Sequence, residues 1–432
     1  MTEIGISTAT KSIPRPQMET EREWNSDRPG VLFVTDQVFL PEQNGSSQTY
    51  VNVARQYASA GWRIHCLSFY RNKEQVSTTQ TQSAYGELFN HYMLVPGWDL
   101  GGGPLGKFGM ALRELNRLVT GNVFASHPFL VSSQKDFRHG LSEFIARERI
   151  SEIYFHKPHS MLLLQSGLAV LKPARFVINL HDDFVARTSH YDAAYDSLFA
   201  NLPLRVIARQ HLAMYLRHRL SRAHAAASRR TELELLAQCE EIFIFSKSEF
   251  DFYAKLPRLR DRVRFQPLEC QHLPAMSPTG QAPRYDAGFI GADSVMNLDA
   301  VIHLRDDILP IVREKIPDFR MLIAGTIARK VAPLVAGVAN FEVWSHLAKI
   351  DDFYSAIGLA AIPLRHGTGV SVKAVEALHF GCPVVSTPIG VRGISRSTLS
   401  RHNVDITSDP AVFGTTLVQR ALVRRATSRE DR

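Results

Sequence analysis

Cysteine is scarce: four residues in 432, at positions 66, 239, 270 and 382, with no Cys-x-x-Cys pair and no zinc-like spacing. That excludes a disulfide-stapled scaffold and a cysteine zinc module. Cys66 and Cys382 lie in or beside apolar runs and read as small buried hydrophobes. No uninterrupted apolar stretch approaches the roughly 18 to 20 residues of a membrane-spanning helix. The opening residues lack a basic patch followed by an apolar run, so no signal peptide is expected. A disordered polar tail over residues 1–28 and a cytoplasmic chain are expected instead. The 17 histidines show no HExxH or other ligand spacing, and neither a metal nor a cofactor is expected.

What is present can build cores. Apolar residues make up 45% of the chain and charged ones 21%, which excludes a mainly disordered or collagen-like protein. The length suits two or three domains of about 150 residues. Apolar runs of strand length, such as VLFVTD (31–36) and WRIHCLSF (62–69), flank an amphipathic stretch from Thr49 to Ala60. This β–loop–α–β alternation points to a parallel α/β sheet. Residues 71–135 read as irregular. Helices are then expected at Phe137–Glu148 and Ser160–Leu171, among the strands EIYFH, RFVINL, EIFIFS and RVRFQPL.

PAMSPTGQAP (274–283) is the clearest linker. Beyond it a second series alternates the strands DAGFIGA, RMLIAG, FEVWS, LAAIPL and PVVST with helices at Asn297–Lys315, DDFYSAI and VSVKAVEALHFG. The expected fold class is α/β, with two Rossmann-like doubly wound domains, 29–276 and 284–410, facing an interdomain cleft. A basic helix or tail over 411–432 completes the chain. Ligands of such sheets bind outside the carboxyl ends of the strands.

The segment Ile362–Gly393, IPLRHGTGVSVKAVEALHFGCPVVSTPIGVRG, carries the sharpest motif. A strand ends at Leu364, a glycine-containing loop follows, and a helix begins near Val370 or Ser371. Gly367 and Gly369 allow tight turning and bring amide groups toward an anion at the positive end of the helix. Lys373 lies in the first turn and Glu376 three residues on, along the same face. A cation beside free amides suits a diphosphate, and the carboxylate one turn deeper suits a ribose diol. The plainer reading makes these turn glycines and a surface ion pair.

The segment resembles the donor-site signature of the GT-B-fold glycosyltransferases of the large retaining group called family 4. Members share the glycine loop, the glutamate on the next helix, and a Gly-x-Pro-Val-Val strand, here Gly381, Pro383, Val384 and Val385. Phe289–Gly325 and the upstream segments NGSSQTYVNVARQYASAGWRI, INLHDDF and FIFSKSEFDFY follow the family's order too, so the likeness spans Val31 to Gly393. The absence of any Asp-x-Asp argues against a metal-dependent GT-A enzyme.

The resemblance implies a glycosyltransferase that moves a sugar from a nucleotide-diphosphate donor to a hydroxyl acceptor, a glycan or lipid-linked molecule, in bacterial-type cell-surface polysaccharide or glycolipid synthesis. It assigns Gly45 to close backbone approach and His181 to the donor sugar near the reacting centre. Lys373 and the amides around Thr368, Gly369, Val370 and Ser371 would hold the diphosphate and stabilise it as it leaves. Glu376 would bind the ribose. Arg187 is a further candidate for phosphate or acceptor contact.

Two positions depart from the pattern. Thr368 stands where many members carry the first of two glutamates, and Ala292 and Asn297 stand near the places of a usual Arg and Lys. Lys373, with Arg365 or Arg329, is then left to neutralise the diphosphate. A non-catalytic GT-B scaffold and a non-hydrolysing nucleotide-sugar epimerase are the alternatives.

The basic charge is localised. Residues 197–231 hold seven arginines and no Asp or Glu, with an apolar stripe at helical spacing. This is either a helix for an anionic membrane surface, placing the chain peripherally on the inner face, or a solvated basic side that steers anionic substrates. No nucleic-acid module accompanies it. That segment carries +7 of the net +8 and the tail from Ala411 carries +3, leaving −2 for the remainder.

Overall fold

The computed structural model describes residues 29–36, 45–70, 88–96, 135–164, 168–171, 174–200, 225–268, 283–345, 347, 349–402 and 404–430. The polar tail, most of the irregular 71–135 stretch, residues 201–224 of the basic segment and nearly all of the Pro-rich linker lie outside them.

In chain order the structure begins with β1 (Gly30–Thr35), α1 (Gly45–Ser59), β2 (Arg63–Tyr70), β3 (His91–Pro96), α2 (Lys135–Arg147) and β4 (Ile150–His156). Next come α3 (Pro158–Leu163), α4 (Leu168–Leu171), β5 (Arg175–Leu180), α5 (Phe184–Ala200), α6 (Ala225–Leu236), β6 (Glu241–Ile244), α7 (Lys247–Ala254) and β7 (Val263–Phe265). The later half holds β8 (Ala287–Ile290), α8 (Val295–His303), α9 (Leu309–Lys315), β9 (Met321–Ala324), α10 (Ala328–Val335), β10 (Phe341–Trp344), α11 (Ile350–Ala356) and β11 (Ala360–Ile362). It closes with α12 (Val372–His379), β12 (Val384–Ser386), α13 (Arg396–Arg401), β13 (Asp405–Ile406) and α14 (Pro410–Glu430).

These elements fall into two units. The first holds the chain to His181 with 223–244 and 250–265; the second holds 182–222, 245–249 and 266 onward. The sheet of the first unit runs β3-β2-β1-β4-β5-β6-β7, and that of the second β10-β9-β8-β11-β12-β13. All recorded strand pairs are parallel. Each order reverses once, at β1/β4 and at β8/β11, which is the doubly wound arrangement with its ligand crevice at the reversal.

The apolar runs read as strands because both faces of a wound sheet are covered. In β1, Leu32 and Val34 enter one core cluster while Val31 and Phe33 enter another. In β5, Phe176, Ile178 and Leu180 join the first cluster and Val177 the second. This is period-two alternation with no solvent face. In the second unit Met321, Leu322, Ile323 and Ala324 are all fully buried in one core. Gly288 lets a helix close on β8: a Cβ there would lie 2.5 Å from Ile357 Cγ2.

Several details depart from the expectation. β3 lies inside the stretch read as irregular; it forms because β2 offers an unpaired edge, in register from His65↔His91 to Tyr70↔Pro96. The helix expected over Ser160–Leu171 is two short helices, α3 and α4. The helix expected over Asn297–Lys315 is interrupted by a π turn at Leu304–Ile308. The C-terminal basic stretch, expected as a helix or tail, does not depart: it is helical over Pro410–Glu430. It docks through Arg424 and Arg425, which both bond the buried Asp286 carboxylate.

Candidate functional site

The loop after β11 leaves the second sheet beside its order reversal and leads into α12. Two of its glycines are structurally required. Gly369 has φ 67, in the left-handed region. A Cβ on Gly367 would lie 2.6 Å from the Arg392 guanidinium carbon. Ser371 is the N-cap of α12, yet its side chain accepts no capping bond. Its Oγ is buried and has no partner. The first turn of α12 therefore starts with amides that no side chain caps, the local condition for anion binding.

Not every amide expected to face a ligand is open. Gly367 N donates to His190 Nδ1 (3.3 Å), Gly369 N to Glu249 Oε1 (2.9 Å) and Ser371 N to the Arg392 carbonyl (3.0 Å). The same Glu249 oxygen accepts from Asp183 N at 3.1 Å, so this carboxylate joins the loop to the start of α5. The loop is held in shape before any ligand arrives.

Lys373 and Glu376 follow on one face of α12. Lys373 Nζ donates to Asn297 Oδ1 at 2.6 Å and lies 4.4 Å over the Phe289 ring. Asn297 is itself oriented by donating to the Ala292 carbonyl at 2.8 Å. Burial, with Arg392's charge adding to it, draws the lysine down to about 7. Glu376 is 5% exposed and accepts from the Tyr354 hydroxyl at 3.4 Å. Burial pushes its carboxyl up to about 8. Both side chains are thus held in surroundings that resist their charge, which a charged, hydroxyl-bearing ligand would reverse.

The other arginines differ in how their charge is spent. Arg365 makes a two-point contact with Asp299 (3.0 and 2.5 Å) and donates to Ser197 Oγ at 2.8 Å. Arg329 is exposed in the first turn of α10. Arg187 pairs with Asp182 at 3.3 Å, and Asp182 in turn accepts from Thr368 Oγ1 at 3.4 Å. Sequence reasoning passed over Arg392, Glu249 and Asn297 as site residues. Arg392 was visible only as the basic residue before Gly393, and nothing local marked Glu249.

His181 and Gly45 belong to the first unit. Gly45 is the first residue of α1, the helix that follows β1. His181 follows β5 directly, at the carboxyl edge of its sheet, and its ring meets His156 edge-on at 4.4 Å. His156 is fully buried, neither ring nitrogen has a partner, and Tyr50 packs edge-on against it at 4.5 Å. Burial, with His181 adding to it, holds His156 well below the usual histidine range.

Among the described residues, one His/Glu group has metal-type spacing: His65, His91 and Glu148, with ligand atoms within 4.8 Å of one another. Several of its polar atoms are already engaged, although His65 Nε2 is buried without a partner. The imidazoles share a 3.0 Å contact, and Glu148 bonds Arg63 and Arg147. Two guanidiniums on the carboxylate disfavour a cation there.

Residues 284–414, which contain the whole loop and α12, match the family model described as Glycosyl transferases group 1. No curated protein matches the chain.

Solved structures resemble it along most of its length. HepE of Anabaena in complex with UDP and glucose is 12% identical, covers 90% of this chain and 89% of its own, and superposes with a TM-score of 0.56. TarM is 8% identical over 92% of this chain and 96% of its own, with a TM-score of 0.54. A glycosyltransferase from Rickettsia africae is 10% identical over 93% of both chains, with a TM-score of 0.51. The fold is the two-domain α/β GT-B fold, as expected, and the resemblance to GT-B glycosyltransferases holds. No described helix is long and apolar enough to cross a membrane.

Proposed function

We propose that this chain, whose residues 284–414 match the group 1 glycosyltransferases, transfers a hexose-type sugar from a nucleoside-diphosphate donor to a hydroxyl acceptor. One observation carries the reading. Lys373 and Glu376 sit one turn apart at an uncapped helix N-terminus, in surroundings that oppose the charge of each. Such an arrangement gains most from a ligand with an anion at one end and a diol at the other.

The Lys373 ammonium and the first-turn amides of α12 would receive the diphosphate, and Glu376 would accept hydrogen bonds from the ribose hydroxyls. As the bond between C1 of the sugar and the phosphate oxygen breaks, its electron pair stays on the diphosphate. Lys373 and the helix end stabilise that charge. The acceptor oxygen bonds C1 and its proton passes to the departing phosphate. Retention at C1, a hexosyl donor and a metal-independent reaction are part of this proposal, as is a role for His181 at the transferred sugar. The HepE complex contains UDP and glucose, which makes UDP-glucose the first donor to test. A glycan or lipid-linked acceptor at an anionic membrane surface, reached through residues 197–231, is the proposed setting.

Thermal-shift titration of the full chain with nucleotide-diphosphate sugars tests the donor site, since a ligand of the native state raises its melting temperature. Transfer assays with Lys373→Ala and Glu376→Ala follow. A chain that binds no nucleotide sugar is a scaffold and refutes the reading. Interconversion of the donor without transfer would mark an epimerase, and the anomeric configuration of the product settles retention.

A further inference from the structure

A nucleoside diphosphate leaves with more negative charge than one lysine can balance. The positions after β8 supply no second cation: Ala292 is apolar and Asn297 is neutral. Arg365 is spent on Asp299 and Ser197. We propose that Arg392 is the second cation of the diphosphate site. This rests on the donor-site reading above.

Three observations converge on it. Firstly, Arg392 is held rigidly on the glycine loop. Its Nε donates to the Thr368 carbonyl at 2.6 Å and its Nη1 to the Ile389 carbonyl at 2.9 Å. Its own carbonyl accepts from Ser371 N at 3.0 Å, so the arginine frames the N-cap of α12 from both ends. Gly367 leaves the space the guanidinium occupies.

Secondly, its charge is not neutralised by contact. No carboxylate of a described residue pairs with it within salt-bridge distance, and Nη2 makes no bond to the described protein. Asp182 and Glu249 act on it only at longer range. A half-buried guanidinium tied down by neutral carbonyls, with one nitrogen left over, is a preformed anion contact.

Thirdly, it acts together with Lys373. Burial lowers the arginine to about 10, so it remains charged at neutral pH, and its charge helps depress the lysine. Two cations that repel each other across one loop are relieved by a polyanion. Ser371 is 2% exposed and its Oγ has no partner, an independent sign of an unfilled hydrogen-bonding position at the same helix end.

The test compares the full-length wild type with Arg392→Met and Arg392→Lys, titrated with UDP and with uridine. UDP binding is expected to weaken by about 10- to 100-fold in Arg392→Met, the range of a lost charge-assisted bond. Uridine binding should change less than about twofold, because the lost contact is to phosphate. Arg392→Lys should recover part of the loss, since a point charge replaces a fork.

A loop that merely collapses would weaken both ligands alike and lower the melting temperature, which overturns the assignment. Unchanged UDP affinity in Arg392→Met overturns it too. Failure of the wild type to bind UDP while another nucleoside diphosphate binds refutes uridine specificity, and the same comparison is then decided with that diphosphate and its nucleoside. Failure to bind any nucleoside diphosphate refutes the donor-site reading itself, and this assignment with it.

Discussion

Lys373→Met separates stability from binding. Methionine keeps the stem over Phe289 and removes the ammonium. The lysine's fall from 10.5 to about 7 in the empty fold corresponds to about 4 kcal/mol of opposition to its charge at pH 7. The residue is half-buried rather than fully enclosed, so screening leaves about half, ~2 kcal/mol. The variant strands the Asn297 oxygen that accepts its proton, which costs about 1 kcal/mol. The balance favours the variant by about 1 kcal/mol, or about 2 to 4 °C in melting temperature for a unit of this size.

Binding should move the other way. Losing a charge-assisted bond to phosphate costs about 1.5 to 3 kcal/mol, or about 10- to 100-fold in affinity. At a UDP concentration about 100 times the wild-type dissociation constant, the ligand stabilises wild type by about 2.7 kcal/mol and a variant with 100-fold weaker binding by about 0.4. Differential scanning fluorimetry with and without UDP reads both effects. An empty variant that melts below wild type, or one that keeps the full UDP shift, would refute the reasoning.

The pH dependence has a fixed sign. The folded lysine titrates low, so between about 7 and 10.5 the unfolded chain holds more protons and stability rises with pH. Lys373→Met should lose that rise. Glu376 acts oppositely: titrating near 8 when folded, it contributes stability at acid pH that is lost as pH climbs from 4.5 to about 8.

Further outcomes follow from named contacts. Glu376→Ala should weaken UDP by about tenfold but leave 2′,3′-dideoxy-UDP nearly unchanged; calorimetry with both ligands decides, and an equal loss would remove the ribose from its role. Asp286→Ala should cost about 3 kcal/mol, because it leaves Arg424 and Arg425 without their shared buried carboxylate. Burial raises that carboxyl, but hydrogen bonds from Arg425 and the Arg320 amide outweigh it and hold it low. Its stabilisation is therefore present above the ordinary carboxylate range and lost as pH falls through the folded value, which an acid denaturation curve of wild type and variant would show. Cys66, Cys239 and Cys382 are buried and burial raises each thiol. Peptide mapping after alkylation should find them unmodified until the chain unfolds.

Local pattern made much of this legible. β1, β4 and β5 are short apolar runs because their two faces meet different cores, and that leaves a continuous signature. The Gly367–Glu376 stretch was legible because glycine placement, helix start and the i, i+3 pair all lie within ten consecutive residues. β3 was not: HYMLVP follows no turn signal and gains its identity from the edge of β2. Glu249 was equally silent, since its bond to Gly369 spans 120 positions of chain.

The sequence by itself determined two doubly wound sheets, the helix that begins at the glycine loop, and the lysine and glutamate on its face, because periodicity and backbone permission act over a few neighbouring residues. Only the tertiary structure decided which charges are available. Arg365 and Arg392 look alike in the sequence, yet one closes on Asp299 and the other keeps its charge unpaired beside Lys373. Folding chooses between them because an ion pair depends on distance in space, which residues far apart in the chain acquire only when packed. The four scattered cysteines bounded the scaffold; packing decided which cations remain for a ligand.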